Sequence, residues 1–332
     1  SFYNYIYMKP KNCLIFGASG CIGRNLIRKL TQKNFKVTAV TRNLHQKGYV
    51  LKTQSNPGYL DIVESSIFDE NKIRALFDKA DICINLVGIL FEKGKINTFE
   101  NIHRKFPIFL SGLCREYNIE QFIHVSALGV EEAKDSLYAS SKLNGEIGIK
   151  ENFKKTTILR PSVVYSTDDN FTTNFMTLLN RLPFFPLYYN GSTLFRPIHV
   201  SDLNEIIYQV IKQNISSTII ECVGPEEISL KNILQRLLKL IGKKRFLIPI
   251  PLTLAKLSAS FFQLFNKPLI TIDQLRLLKY QNIPSGKYKT NFDFEINSSV
   301  NFDSEVEKYC YMWRKEGEFS KIQSKDKNHP AL

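Results

Sequence analysis

Gly17, Gly20 and Gly23 follow the apolar run Cys13-Leu14-Ile15-Phe16 and open a helical pattern of Ile22, Leu26, Ile27 and Leu30. Strand, glycine-rich turn and helix in that order is the context a dinucleotide-binding site requires. One glycine makes the tight turn, one lets the backbone approach a pyrophosphate, and one lets helix and strand pack closely. A bare strand-to-helix turn would need only one of them. Ser19, Cys21 and Ile22 sit between the glycines, so their backbone belongs to the positive end of the helix, where phosphates bind. Further along, Tyr138-Ala-Ser-Ser-Lys142 sets a phenol and an ammonium four residues apart, on one face of a helix. That spacing is also common by chance.

The second strand, Lys36 to Thr41, ends Val40-Thr41-Arg42 without the acid that usually holds a ribose 2′-OH. Arg42 could instead pair with a 2′-phosphate, whose geometry suits a guanidinium fork, and Arg24 could assist. Either arginine alone reads as a surface cation. Both together, with the acid missing, favour NADPH over NADH, so the cofactor expectation is NADPH, or else NADP or NAD.

These residues need rigid elements to place them. Apolar runs and helical patterns alternate, with strands expected at 12–17, 36–41, 58–63, 81–87, 121–126 and 156–161, and helices at 21–33, 69–79, 97–117 and 138–153. Such alternation predicts an α/β fold, a Rossmann-type doubly wound parallel sheet with helices on both faces. At 332 residues the chain exceeds one ordinary domain. We expect a nucleotide-binding domain over 10–223, with an excursion at about 166–200 that contributes to a second lobe. A smaller C-terminal lobe follows over 224–300, then a terminal helix and a polar tail over 301–332. Thr218 to Val223 reads as a strand returning to the sheet. Ser201-Asp202 and Ser229 read as helix caps.

The formal charge is +14 and 43% of residues are hydrophobic, enough apolar mass for a large core and a charge that favours acidic partners. No zinc-finger or RNA-binding spacing supports nucleic acid. The six cysteines are scattered without a CxxC pair, so they read as reduced, buried hydrophobes and no metal is expected. The chain opens without Met, and Met8 is a candidate start. Ser1 to Lys9 lacks the layout of a secretion signal. No window offers the roughly 20 apolar residues of a membrane span.

The spacing GxxGxxG resembles the extended and atypical members of the short-chain dehydrogenase/reductase superfamily. That resemblance implies that Lys142 anchors the nicotinamide ribose and lowers the Tyr138 pKa, making Tyr138 a proton donor and acceptor. It also implies that Ser66 stands where an adenine contact falls, and that Leu86, Val87 and Gly88 form a small-residue turn beneath the cofactor. The substrate half departs from the pattern. In His124-Val125-Ser126-Ala127 the expected serine position falls on Ala127, and Ser126, the tentative third catalytic residue, comes one residue early. A shift of one on a strand points a side chain to the other face. His103 stands where extended members often carry Asn.

A closer resemblance rests on a set of segments. These are Asn85-Leu-Val-Gly-Ile-Leu-Phe-Glu92, His124-Val-Ser-Ala127, Ser136-Leu-Tyr-Ala-Ser-Ser-Lys-Leu-Asn-Gly-Glu146, Ile158-Leu-Arg-Pro161-Ser162, Phe195-Arg-Pro-Ile-His-Val-Ser-Asp202 and Thr271-Ile-Asp-Gln-Leu-Arg-Leu-Leu-Lys279. Together they resemble the NAD(P)H-binding accessory subunits of respiratory complex I (alpha subcomplex subunit nine) and their alphaproteobacterial relatives, over about 10–285. The resemblance implies a held nucleotide contacted also by Pro161, little turnover, and complex I subunits as partners. A place in the bacterial cytoplasm or at the inner-membrane periphery follows, on the matrix side if mitochondrial, with an anionic membrane surface as a further partner.

Two rival readings use the same residues. One is a free-standing NADPH-dependent reductase, epimerase or dehydratase acting on a sugar nucleotide or other small carbonyl substrate, with Tyr138, Lys142 and Ser126 as its machinery. The other is a nucleotide-sensing regulator. Separately, Leu254, Leu257, Phe261, Leu264 and Phe265 recur at helical spacing within Pro251 to Phe265. They read either as lobe core or, with Phe262, as a docking face for a partner or lipid, edged by Lys256 and Lys267.

Overall fold

The structure, a computed structural model, describes residues 8–264, 268 and 270–314. The strands are β1 (Asn12–Phe16), β2 (Lys36–Thr41), β3 (Leu60–Glu64), β4 (Ile82–Asn85), β5 (Gln121–Val125), β6 (Thr156–Pro161), β7 (Val164–Tyr165), β8 (Phe184–Leu187), β9 (Leu194–Phe195), β10 (Ile198–His199), β11 (Thr218–Cys222), β12 (Ile228–Ser229), β13 (Phe246–Pro249) and β14 (Lys289–Thr290). The helices are α1 (Cys21–Gln32), α2 (Leu44–Lys52), α3 (Glu70–Leu76), α4 (Phe106–Glu116), α5 (Leu137–Asn152), α6 (Thr172–Arg181), α7 (Val200–Lys212), α8 (Leu230–Ile241), α9 (Leu252–Phe262), α10 (Ile272–Leu278) and α11 (Phe302–Glu307). A π-helical turn, Glu100–Lys105, precedes α4.

Eight strands form one parallel sheet in the order β14-β11-β6-β5-β4-β1-β2-β3. The order reverses between β1 and β4, the switch point at which doubly wound sheets bind ligands beyond their strand ends. In β1, Cys13 to Phe16 are wholly buried, as a central parallel strand covered on both faces must be. Register is one to one, with Cys13 opposite Val37 on one side and Ile82 on the other.

The chain divides into two compact units. The first comprises residues 1–126, 141–159 and 204–219, and its core is built from Leu14, Phe16, Phe77, Phe106, Phe122 and their neighbours. The second comprises 127–140, 160–203 and 220–332. Its larger cluster joins Tyr165, Met176 and Trp313 to the inner face of α8, where Ile233, Leu234, Leu237 and Ile241 recur at helical spacing. Ser229 caps α8 by accepting from Asn232 N, as its type predicts. Asp202 does not act as the expected cap. It lies within the first turn of α7, and its carboxylate accepts from Val300 N at 3.1 Å. The last α-helix among the described residues is α11, and residues 315–332, where the polar tail is expected, lie outside them.

One short strand pair and one helix of the second unit behave unexpectedly. β8 and β13 run parallel with Phe184 opposite Phe246. One face of this ribbon buries Phe185 and Leu187, while Phe184, Phe246 and Ile248 stand exposed. The helix α9 packs inward through Ala255 and Ala259, against Tyr188 and Leu275. Its large residues Leu254, Leu257 and Phe261 face outward, and the core reading of them is corrected. Two alanines leave room for close helix packing, so no larger side chain is needed on the inner face. Phe265 and Lys267, and the side chain of Phe262, lie outside the described residues.

Candidate functional site

The three glycines of the first turn each have a separate reason. Gly17 holds φ +78°, and a Cβ there would lie 3.0 Å from Leu86 C and Val87 N, so the turn needs both its conformation and its bareness. Gly23 would bring a Cβ within 2.4 Å of Ala18 O, so α1 and the turn could not pack as they do. At Gly20 a Cβ would meet nothing of this chain closer than Gly17 O at 3.5 Å. The space above Gly20 is therefore open, and Gly20 itself is exposed at the N-cap of α1. No side chain caps that helix and no acid occupies its first turn. Ser19, Cys21, Ile22 and Arg24 are half-buried around this end. The donor set fits a pyrophosphate: backbone N–H groups at a helix start, a bare glycine and no acidic residue in the first turn.

Arg42 is exposed just past β2. Glu64, opposite Thr41 in register, has its carboxylate engaged by Leu44 N at 3.4 Å. Ser66 is exposed, and its Oγ accepts from Phe68 N at 3.1 Å, which shapes the turn before α3. Leu86 and Val87 are half-buried and Gly88 is exposed. Asn85 Oδ1 accepts from Val87 N at 3.2 Å and so fixes this turn after β4.

Lys142 is buried in α5, with Nζ 3.4 Å from the Cβ position of Gly88, which also lies 3.8 Å from His103 Nε2. Burial lowers the Lys142 pKa to about 8, against the pull of Glu146 one turn on. Two imidazoles share this interior. His103 Nε2 accepts from Ile89 N at 3.1 Å, and its Nδ1 lies 2.9 Å from Ser141 Oγ. His124 Nδ1 lies 3.2 Å from Asn85 Nδ2. Burial, then the Lys142 charge, pushes His103 down to about 2 and His124 to about 3, so both are neutral. The π-helical turn turns the His103 carbonyl toward α5, where any Cβ at Gly145 would lie 2.0 Å from it. A single π turn inside a helix often marks a functional site.

Ser126 is buried just after β5, and its Oγ makes no hydrogen bond among the described residues. Ala127, the position the superfamily pattern assigns to serine, is half-buried and has no hydroxyl. All of these residues except Ala127 lie in the first unit.

In the second unit, Tyr138 is half-buried in the first turn of α5, and burial raises its hydroxyl to about 12 rather than lowering it. Pro161 is buried, its carbonyl accepting from Leu128 N at 3.0 Å. The start of α5 is held from far along the chain. The Asp273 carboxylate accepts from Ser136 Oγ at 2.9 Å, Leu137 N at 2.7 Å and Tyr138 N at 3.0 Å. Ser136 Oγ in turn accepts from Ala139 N at 3.2 Å. Three N–H groups that a helix start leaves unpaired are thus satisfied. Asp135, beside them, is gripped by Tyr280 Oη and Lys279 Nζ. The Asp-Gln segment at 273–274 was visible in the sequence, but its grip on residues 136–138 was not.

A Rossmann sheet, a bare-glycine phosphate cradle and a buried Lys four residues beyond a Tyr define a nucleotide-binding short-chain dehydrogenase-like protein. The chain belongs to the NAD dependent epimerase/dehydratase family, whose profile matches residues 13–222. Among its relatives is NADH dehydrogenase [ubiquinone] 1 alpha subcomplex subunit 9 of Arabidopsis thaliana, 25% identical over 283 residues. That match covers 82% of this chain and 70% of the relative. The NADH-ubiquinone oxidoreductase 40 kDa subunit of Neurospora crassa is 24% identical over 288 residues, covering 85% and 74%. The UDP-glucuronic acid 4-epimerase of Bacillus cereus, solved with NAD, superposes with a TM-score of 0.69 at 16% identity, over 91% of this chain and 99% of that one. At that identity the likeness speaks for the fold.

Proposed function

We propose that this chain is an NAD(P)H-binding accessory subunit of NADH:ubiquinone oxidoreductase, in which the nucleotide serves structure more than turnover. The observation that carries the reading is where the similarity runs. The two complex I relatives match more than four fifths of this chain, well past the family profile's end at residue 222. The loss of the superfamily serine supports low turnover, since Ala127 offers no hydroxyl and Ser126 Oγ is buried. In this reading Gly17, Gly20, Gly23 and the α1 N-terminus hold the pyrophosphate, and Leu86 to Gly88 underlie the nicotinamide half. Lys142 anchors its ribose. Arg42 and Arg24 favour NADPH. When bound, the dinucleotide supplies hydride chemistry at its nicotinamide ring. In this reading the chain works at the inner-membrane periphery, on the matrix side in a mitochondrion; no helix of the described residues is long and apolar enough to cross a membrane.

Pull-down of the tagged chain from solubilised membranes is expected to recover complex I subunits, and removing the chain is expected to impair complex I assembly. Recovery of none, with assembly unaffected, overturns the reading. A second reading, a reductase or epimerase acting on a carbonyl compound, draws on the retained Tyr138 and Lys142 of α5. Turnover in a substrate screen that Tyr138→Phe abolishes would favour it.

A further inference from the structure

We propose that the outer face of α9 and the exposed face of the β8–β13 ribbon dock on an anionic lipid bilayer. The proposal goes beyond the accessory-subunit reading and stands without it, because lipid binding belongs to the chain alone.

A helix at a protein surface normally turns polar residues outward. Here the reverse holds. Ala255 and Ala259 are buried, while Leu254, Leu257, Phe261 and Leu264 are 54%, 68%, 59% and 82% exposed. At 100° per residue the three within α9 fall on the side opposite the alanines, and Leu264 follows just past the helix end. They line a shallow surface depression with Ser258 and Ser260. Both hydroxyls already donate to carbonyls of their own helix, Ser258 to Ala255 O at 2.8 Å and Ser260 to Lys256 O at 2.9 Å. Neither serine hydroxyl therefore demands water, and the exposed hydroxyl of Thr253 sits in the first turn of α9, where a helix lying at a bilayer interface meets the polar headgroups. Phe246 and Ile248 on the neighbouring ribbon add exposed apolar surface, and Pro249-Ile250-Pro251 joins the two.

Charge selects the occupant. From Ile228 to Ile272 the chain carries eight Lys or Arg and no Asp or Glu. Lys244 and Lys256 are exposed within this stretch. Arg236 is already paired with Glu226 and Asp303, but apolar side chains beside cations, with no carboxylate on α9 or the ribbon itself, match the interfacial helices that bind anionic leaflets. A second copy of this chain would bring the same cations against one another. A protein partner would need a long acidic and apolar surface to do as well.

Co-flotation of the purified full chain tests this. The chain is expected to float with vesicles of phosphatidylcholine mixed with phosphatidylglycerol, and far less with phosphatidylcholine alone. Leu257→Asp with Phe261→Asp should weaken binding at least about tenfold, with unchanged melting and nucleotide affinity, since both side chains already face water. Lys244→Glu with Lys256→Glu should weaken binding to the anionic vesicles about tenfold and leave the neutral ones unaffected. The proposal fails if the unmodified chain does not float with anionic vesicles at low salt. It fails equally if the aspartate pair binds as before, or if that pair instead converts a dimer to a monomer. Intact vesicle binding beside a failed complex I pull-down would sink the function proposed above and leave this inference standing.

Discussion

In the proposed reading, Arg42 is the side chain on which nucleotide choice turns. It stands exposed at the end of β2, where no acid precedes it and the nearby Glu64 is already engaged at the start of α2. Arg42→Ala is expected to weaken NADPH by about 1–3 kcal/mol, the scale of a lost charge-assisted contact, and to leave NADH nearly unchanged. Calorimetric titration with both nucleotides checks this, and equal losses would remove Arg42 from the 2′-phosphate. A second prediction concerns His103 and His124. Both fold neutral, with pKa values lowered to about 2 and about 3, first by burial and then by Lys142. In the unfolded chain they take up protons near pH 6.5. Their contribution is therefore fully present above pH 6.5 and is lost as pH falls toward 3. At pH 5 the pair should have cost about 2–4 kcal/mol of stability. Urea midpoints measured from pH 7 to pH 4.5 should fall steeply, and His124→Gln should flatten the slope. A slope unaltered in that variant would acquit the imidazole. Both histidines are plain in the sequence. Their neutrality was not, because it comes first from burial and then from Lys142, 39 positions from His103 in the chain.

At the scale of elements, α5 depends on α10. Asp273 reaches the first turn that carries Tyr138, so Asp273→Ala leaves Leu137 N and Tyr138 N without their acceptor. The expected loss is about 1–2 kcal/mol, as for a removed helix cap, read as a lower urea midpoint. Nucleotide affinity should weaken with it, since the same helix carries Lys142. A variant as stable as the parent would make the contact incidental. The elements themselves were largely legible. The strands from β1 to β6, the returning β11 and the start of α9 after Pro251 lie within a few residues of their expected places, because buried strands declare themselves as apolar runs and prolines end or begin helices. α2 was missed, since its sequence Leu-His-Gln-Lys-Gly-Tyr-Val-Leu-Lys carries a central glycine and little apolar rhythm. The π turn at Glu100–Lys105 was read as plain helix, because one extra residue in a turn barely disturbs a 3.6-residue period. α9 was harder still. Its apolar stripe was correctly seen, but a stripe says nothing of whether it faces in or out, and two alanines decided that.

For the whole molecule, the segments of the two units are interleaved along the chain. Residues 141–159 and 204–219 return to the first unit after the chain has already entered the second at 127. Such returns are invisible to any local pattern, which is why fold class could be read from alternation while the division of the chain could not be read from composition. They also bear on how the protein is made. A ribosome delivers residues in order, and domains generally fold as units once complete. Here neither unit is complete when 126 residues have emerged, and the first still lacks a segment until Ile219 has left the tunnel. Until then first β5, before β6 emerges, and afterwards β6, before β11 emerges, presents an unpaired sheet edge, the state in which slow parallel sheets are most prone to aggregate. A truncated message ending anywhere before that point would yield not a smaller working domain but a client for chaperones.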